Sequence, residues 1–419
     1  MEEREVSRLS QPRRMTLFLA AYLLLFLATF LGLAPVFQII APLHAGALDP
    51  DAKTEILSRA MFWGALVAAA SNLIIGAISD RTRSRFGRRR PWIAIGVVLT
   101  ILSYIGLWRA STPAEFIWAV VGFQLAFNTL MAPLSAVFAD RVPLALRSTI
   151  SALLGLSYPL AVALGSSLMA LGPQTEPGRF ILLGALLVTA AVIFLLSSRE
   201  PDRPSPLNAA SGERPWRAGL LITPFQSRNF SVVWGSRLLI ATGYSFVSTY
   251  LLFFITDALG RSGSSPERFH ALLTGVGFAS VIVVTVVVAL FGKKIIHRQS
   301  VALVGAIILC AATVLLSTSA NGMFAIIAFA AYGIGQGAYG AVEMGLMADA
   351  LPSAEDRGRD MGLNNLAVAL PQAIAPLAAL VLTATGGDVR TLYIAASGCF
   401  AGAVVVLGLF RRTQGDSTL

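Results

Sequence analysis

Twelve apolar runs, each long enough to cross a lipid bilayer, constrain what this chain can fold into. A helix that spans the hydrocarbon core needs about 20 apolar residues, and runs of that length recur from residue 15 to residue 410. Only 13% of the 419 residues are charged, against roughly 25% in soluble proteins. The sequence therefore predicts an all-α polytopic membrane protein, with spans at 15–41, 58–79, 92–110, 114–138, 149–171, 179–198, 230–257, 268–291, 300–318, 321–347, 361–384 and 389–410.

The segment between the second and third spans, from Gly76 to Trp92, carries the densest charge in the chain. Loops rich in arginine and lysine remain in the cytoplasm, so this hairpin is predicted to lie inside. If the spans alternate from there, 24 of the 32 Lys and Arg residues fall in inside segments, and both termini are predicted to be cytoplasmic in the plasma membrane. Six of these residues lie within ten positions of the hairpin: Arg81, Arg83, Arg85, Arg88, Arg89 and Arg90.

The net charge of +10 allows two interpretations. A strongly basic chain can bind nucleic acid, and an arginine run can form the binding patch. Here a predicted span lies on each side of that run, and the remaining positive charge is spread over short loops. We therefore expect contact with membrane lipids and no nucleic-acid partner.

Catalytic and metal-binding patterns are absent from the sequence. Cys310 and Cys399 lie inside predicted spans, and His44, His270 and His297 are far apart, so the spacing gives neither a disulfide framework nor a metal site. The chain contains no nucleophile motif and no phosphate-binding loop. We predict no enzyme activity, no cofactor and no metal.

The chain divides into two halves. The motif Ala-Asp-x-x-Pro occurs at 139–143 and again at 348–352, in each case after the fourth span of its half, and an arginine follows at Arg147 and Arg357. Equivalent loops indicate two bundles related by pseudo-symmetry, although short turns can also match by coincidence. The predicted organisation is a cytoplasmic tail (1–14), a six-helix bundle (15–198), a cytoplasmic linker (199–229), a second six-helix bundle (230–410) and a cytoplasmic tail (411–419).

The span count, the division into halves and the hairpin motif together resemble the major facilitator superfamily. The motif is Gly-x-x-x-Asp-Arg followed by Gly-Arg-Arg, and the resemblance covers about residues 15–410. The longer string from Ser79 to Ile93 is most similar to two sugar-transporting branches, the glycoside–pentoside–hexuronide:cation symporters and the sucrose/proton symporters. The resemblance implies a secondary active transporter that works by alternating access, with a sugar or glycoside as its substrate.

The resemblance also implies that the hairpin is a conformational latch. Asp80 would end the second span and pair with arginines when the cytoplasmic side is closed, and Gly76 and Gly87 would allow a close approach and a tight turn. The alternative is that the hairpin only fixes the topology. The predicted latch residues are Gly76, Asp80, Arg81, Arg85, Gly87, Arg88, Arg89, Asp140, Arg147, Asp349 and Arg357.

One departure from the resemblance concerns the coupling ion. Melibiose-type sodium symporters use acidic residues within spans 2 and 4. This chain has none in the interior of either span, because Asp80 and Asp140 follow the spans and Glu115 is only the second residue of span 4. Sodium coupling of that type is therefore not expected. Glu343 is the only acid well inside a predicted span, which makes a co-transported proton the better expectation.

Polar side chains in spans 7 and 10 predict the wall of a transport cavity. Ionisable groups inside a bilayer are costly and usually face a cavity or each other. Arg237 and Glu343 lie at similar depth, so we predict an ion pair that takes part in coupling; a fixed structural pair is the alternative. The neighbouring candidates share a helical face with one of them and are Tyr244, Ser248, Tyr332, Gln336 and Tyr339.

Further cavity candidates lie on spans 1, 4 and 11. Gln124 and Asn128 are four residues apart near the middle of span 4, and each amide offers a donor and an acceptor to a sugar hydroxyl. Helix–helix hydrogen bonding is the alternative, worth about 0.6 kcal/mol each. Tyr22 on span 1 and Asn365 and Gln372 on the proline-broken span 11 complete the set.

Two other functions are alternatives to sugar transport. An exporter of amphipathic compounds would favour an aromatic, apolar cavity, which the amides of span 4 argue against. A non-transporting assembly factor or sensor could use the same fold, but it could also lose the latch, and the latch motif here is complete.

Overall fold

The computed structural model describes residues 2–197, 227–260, 265–291, 297–350, 367 and 369–415. Within these ranges the chain is helical and contains no β-strand. The helices are α1 Glu2–Leu31, α2 Ala41–Leu48, α3 Lys53–Arg81, α4 Arg90–Arg109, α5 Pro113–Arg141, α6 Arg147–Leu171, α7 Glu176–Ser197, α8 Arg228–Phe253, α9 Pro266–Phe291, α10 Arg298–Thr318, α11 Gly322–Ala350, α12 Pro371–Ala384 and α13 Val389–Gly415.

Eleven segments of the described chain are long and apolar enough to cross a membrane. A twelfth, α12, is shorter, and the first part of the predicted span 361–384 lies outside the described residues. The predicted fold class, an all-α polytopic membrane protein, is confirmed. The spans are helical because a bilayer offers no water to satisfy backbone N–H and C=O groups, whereas a helix satisfies them internally.

The structure consists of two compact units. The first contains Met1–Pro50 and Trp63–Glu213, and the second contains Asp51–Phe62 and Arg214–Leu419. The first residues of α3 thus belong to the second unit, which the sequence did not predict. Within that unit, the Ser58 and Tyr250 hydroxyl groups lie 2.5 Å apart. Most of the predicted linker 199–229 lies outside the described residues, so the exact division into bundles stays a prediction.

Helix ends follow local sequence signals. The Thr112 side chain accepts a hydrogen bond from the Glu115 backbone N–H at the start of α5, and Ser227 does the same for Phe230 at the start of α8; both are standard N-caps. The predicted polar tail 1–14 does not end before the first span. It is helical from Glu2 onward, and α1 continues without a break into that span.

The first span of each unit ends in a π-helical turn. Val36–Ile40 forms this turn in the first unit, and Phe254–Ala258 forms it in the second. A π turn shifts the register of the side chains that follow it and is frequent at functional sites. Its occurrence after the corresponding span of each half is consistent with the predicted internal repeat.

Glycines allow the closest helix contacts. A Cβ atom at Gly96 of α4 would lie 2.5 Å from the Leu130 backbone of α5. Helix α11 makes such contacts on two faces: a Cβ at Gly333 would lie 2.3 Å from the Gly277 oxygen of α9, and one at Gly335 would lie 2.8 Å from the Gly305 oxygen of α10. Small residues at these points let backbones pack directly against each other.

Candidate functional site

A network of charged residues joins the hairpin to the ends of α3 and α5 in the first unit. The Arg89 side chain is buried and forms an ion pair with Asp80, a 3.0 Å contact from Nε to Asp140 Oδ2 and a 2.7 Å hydrogen bond from Nη1 to Ser79 Oγ. Arg88 Nη2 lies 2.8 Å from the same Asp140 oxygen. Asp140 therefore accepts from two arginines, and Arg89 links the two aspartates.

The hairpin turns at Gly87, whose φ of 96° is a conformation that glycine adopts without strain. Its N–H donates to the Ser84 carbonyl at 2.9 Å. The predicted tight turn is thus confirmed there. At Gly76 this conformation shows no close approach among the described residues, since a Cβ atom there would meet none of their atoms within 4 Å; its part in the latch stays a prediction.

Several predicted latch residues lie outside this network. Arg81 and Arg85 are exposed and form no ion pair with the described residues. Arg147 caps the end of α5, donating to the Ala139 carbonyl at 3.0 Å. The Asp349 side chain and Arg357 lie outside the described residues.

The second unit contains the predicted ion pair. Arg237 Nε of α8 lies 3.1 Å from Glu343 Oε1 of α11, and the Arg237 side chain is buried. Met344 Sδ lies 4.0 Å from Arg237 Nη1. A buried charge without a partner is costly, so each group stabilises the other in this conformation.

Aromatic rings flank this pair along α8 and α11. Tyr244 and Tyr332 meet edge to face with their centroids 5.8 Å apart, and Phe400 of α13 lies 5.7 Å from Tyr244. Gly243 makes room for Phe400, because a Cβ there would lie 2.5 Å from its ring. The Tyr244 hydroxyl is buried and has no hydrogen-bond partner among the described residues.

Other predicted members of this cavity wall differ in exposure. Tyr339 is buried, while Ser248 is half-buried and its hydroxyl donates to the Ser245 carbonyl at 3.4 Å. Gln336 is half-buried, and the described residues give its amide no hydrogen-bond partner. Gln336 and Tyr244 are therefore the members with unused hydrogen-bonding groups.

The first unit contains a cluster of three neutral amides. The Asn128 side chain of α5 donates from Nδ2 to the Gln124 backbone carbonyl at 2.9 Å. Its Oδ1 accepts from Asn72 Nδ2 of α3 at 3.1 Å. Gln124 and Asn128 are buried, and Gly64 of α3 gives Gln124 its space, since a Cβ there would lie 3.1 Å from Gln124 Cγ. The Gln124 side-chain amide has no partner among the described residues. We name this set the amide cluster.

Asn72 is the functional candidate that sequence reasoning missed. It lies in an apolar part of α3 and is exposed. In the sequence it is only a single polar residue in an apolar run, which does not by itself indicate a binding site. Its partner on span 4 could not be identified without the relative rotation of the two helices.

Three predicted cavity residues lie apart from the amide cluster and from the Arg237–Glu343 pair, or outside the described residues. Tyr22 is fully buried in an aromatic core, where its ring lies 6.0 Å from that of Phe26 and 6.3 Å from that of Phe194. This position does not support a cavity role. Gln372 is exposed at the start of α12, and Asn365 lies outside the described residues.

Within the described ranges, no group of three or more His, Cys, Asp or Glu side chains is arranged to hold a metal ion. The side chains of the amide cluster, of the Arg237–Glu343 pair and of the flanking Tyr244 and Tyr332 offer hydrogen bonding, ion pairing and aromatic contact.

Solved structures with a similar fold are membrane transporters. The nucleoside transporter NupG matches 94% of this chain and 98% of its own, with a TM-score of 0.67 and 11% identity. A bacterial homolog of the human lysosomal transporter Spinster, inward-facing and occupied, covers 94% and 96% with a TM-score of 0.65 and 15% identity. A POT peptide transporter in complex with sulfate covers 96% and 94% with a TM-score of 0.68 and 16% identity. At these identities the likeness concerns the fold.

Sequence comparison gives a local match and a family match. An uncharacterized symporter from Synechocystis sp. (strain ATCC 27184 / PCC 6803 / Kazusa) is 34% identical over 86 residues, and the match covers 18% of this chain and 16% of that protein. The family model for MFS/sugar transport protein matches residues 12–399, which is most of the chain. The chain therefore belongs to the MFS/sugar transport protein family.

Proposed function

We propose that this protein carries a small uncharged polar solute, a sugar or glycoside, across the cytoplasmic membrane by alternating access, with both termini in the cytoplasm and a proton as the coupled ion. The observation that carries the proposal is the amide cluster. Its side chains are neutral, those of Gln124 and Asn128 are buried, and the cluster retains unused donors and acceptors.

Amides suit a hydroxyl-rich solute. Each amide offers both a donor and an acceptor, and a sugar hydroxyl can use both at once. Gln124 has its whole side-chain amide available, and Asn72 keeps its own carbonyl oxygen. A charged solute would favour a fixed opposite charge, and the amide cluster has none.

The second unit supplies the group proposed for coupling. Glu343 is held by Arg237, so protonation of the carboxylate would remove one charge of the pair and release the guanidinium. Tyr244 and Gln336, which lie on the same two helices, offer hydrogen-bonding groups to a solute. We propose that proton binding at Glu343 changes the Arg237 contact during the transport cycle.

The neutral pair between α3 and α5 argues against sodium coupling of the melibiose type. Sodium prefers carboxylate and other oxygen ligands, and here the contact between those helices is made by Asn72 and Asn128. Neither residue provides the negative charge that would compensate a bound cation.

Uptake into proteoliposomes tests the proposal. We would measure radiolabelled sucrose, maltose and melibiose under an imposed pH gradient and, separately, a sodium gradient. We expect uptake driven by the pH gradient alone. The Gln124→Met variant keeps side-chain volume and should raise KM about 10-fold, since it removes one net hydrogen bond. Thr129→Val is the matched control, because the Thr129 hydroxyl bonds only the Leu125 carbonyl of its own helix.

Three outcomes would overturn parts of the proposal. A Gln124→Met variant with unchanged KM would remove the amide cluster from the binding site. Sodium-driven uptake would exclude the proton as the coupling ion. Failure to transport any of the sugars would exclude that substrate class and direct screening to nucleosides and peptides, which are the substrates named for the structural neighbours.

A further inference from the structure

The six arginines of the hairpin fall into two groups. Arg88 and Arg89 bind aspartates, and Arg90 donates to the Leu195 carbonyl at the end of α7. These three are turned toward the protein. The other three, Arg81, Arg83 and Arg85, are exposed and form no ion pair or hydrogen bond with the described residues.

Exposure along the hairpin follows this division. After α3 ends at Arg81, residues 82–84 have no regular secondary structure. Thr82 is half-buried and accepts a 2.8 Å hydrogen bond from Trp92 Nε1. Ser84 is also half-buried, and its hydroxyl accepts from the Phe86 N–H at 3.1 Å. In the sequence Arg-Thr-Arg-Ser-Arg the three arginines are thus exposed, while the two residues between them are partly covered.

An exposed aromatic ring lies next to these arginines. The Phe86 side chain is 56% exposed, and the Arg85 guanidinium lies 4.7 Å from the centre of its ring. An exposed ring next to arginines combines an apolar and a cationic group on one short segment. It suits the membrane interface, where a ring can enter the boundary between headgroups and acyl chains while arginines bind phosphate.

We propose that Arg81, Arg83, Arg85 and Phe86 form a docking surface for the headgroups of anionic phospholipids in the leaflet that faces the hairpin. Charge complementarity carries this choice, because three positive side chains within five residues are exposed and have no acidic partner among the described residues. Arginine also matches phosphate with two parallel hydrogen bonds. The hairpin would thus be held by its inner arginines to the protein and by its outer arginines to the lipid. The proposal does not depend on the identity of the transported solute.

Native mass spectrometry of the full-length protein tests it. After extraction, the protein is exchanged into detergent with equal amounts of phosphatidylglycerol and phosphatidylcholine, and retained lipids are counted. Each arginine near an anionic surface strengthens lipid binding about fivefold, so loss of three arginines should weaken that binding on the order of 100-fold. We expect the Arg81→Gln/Arg83→Gln/Arg85→Gln variant to lose its preference for phosphatidylglycerol at least 10-fold, and Phe86→Ser to lose part of it.

The matched control removes the same charge elsewhere. Arg59, Arg109 and Arg268 are also exposed, and their triple glutamine variant should retain phosphatidylglycerol as the unchanged protein does. A reporter fused to the C-terminus checks that both variants keep the same orientation. Unchanged preference in the hairpin variant would overturn the proposal. Displacement of the lipid by millimolar inorganic phosphate would also overturn it, since the surface would then bind soluble anions.

Discussion

Arg237 of α8 and Glu343 of α11 meet inside the second unit, with Nε 3.1 Å from Oε1. The two residues are 106 positions apart in the sequence and were predicted to pair from their similar depth in their spans. The contact can serve structure, coupling or both, and these roles give different experimental results.

A structural contribution predicts unequal effects of single and double substitution. Arg237→Met and Glu343→Met should each lower the free energy of unfolding by about 3 kcal/mol, because each leaves one buried charge uncompensated. The double variant should be less destabilised than either single one. Thermal unfolding in detergent measures this, and additive losses would show that the two groups do not stabilise each other.

A coupling contribution predicts a specific loss in transport. The Glu343→Gln variant should lose accumulation driven by a pH gradient while it retains exchange of labelled for unlabelled solute, because exchange needs no net proton movement. Thr313→Val on α10 provides a control, since its hydroxyl bonds only its own helix at Leu309 and Cys310. Retained accumulation in Glu343→Gln would assign the pair to structure alone.

The hairpin network predicts that its two aspartates contribute unequally. Asp140 accepts from both Arg88 and Arg89, and its side chain is 18% exposed, whereas the Asp80 side chain is 57% exposed. Asp140→Asn should therefore destabilise the protein by about 2 kcal/mol and Asp80→Asn by less than about 1 kcal/mol. Equal shifts in the thermal midpoint would contradict this ranking.

The contact between α4 and α5 predicts opposite effects for two glycines of one helix. Gly96→Ala should cost about 1–3 kcal/mol, because the added Cβ would lie 2.5 Å from the Leu130 backbone and the helices would have to separate. Gly106→Ala faces open space and should be neutral or stabilise by about 0.5–1 kcal/mol. Comparison of their thermal midpoints, with protein yield as a second measure, checks the difference.

His44 predicts a pH dependence of stability in the first unit. Its Nδ1 lies 2.8 Å from Glu176 Oε1, and its Nε2 lies 2.8 Å from the Ala110 carbonyl oxygen. The ring stacks on Phe116 at 5.2 Å. Two acceptors around one imidazole require both ring nitrogens to be protonated, or require the proton to be shared with Glu176.

This arrangement should stabilise the protein at low pH and weaken as pH rises and the proton is lost. Between about pH 5 and about pH 9, the thermal midpoint of the unchanged protein should fall more than that of His44→Gln. His297→Gln, at an exposed histidine, should follow the unchanged protein. A His44→Gln profile identical to the unchanged one would show that the contact does not depend on protonation.

The membrane-spanning helices were predictable because their cause is general. A span must be apolar and must satisfy its own backbone, and so predicted spans such as 114–138 and 149–171 fall within α5 and α6. The pairing of Arg237 with Glu343 was also accessible, since two charges at equal depth in apolar helices need compensation.

Other features depend on information that the sequence does not display. The division of the arginines into inner and outer groups depends on how the chain runs after α3 ends. Tyr22 was expected on a cavity wall, but a tyrosine in an apolar span can also pack among phenylalanines, as it does beside Phe26 and Phe194. The contact between Asn72 and Asn128 depends on the relative rotation of two helices, which periodicity does not give.

The two glycine faces of α11 have a mechanical consequence. Backbone contact through Gly333 on one side and Gly335 on the other leaves no layer of flexible side chains that could absorb sliding. Helices α9, α10 and α11 should consequently move together as one rigid body. Glu343 and Gln336 both belong to α11, so a force on either side chain is transmitted to all three helices at once.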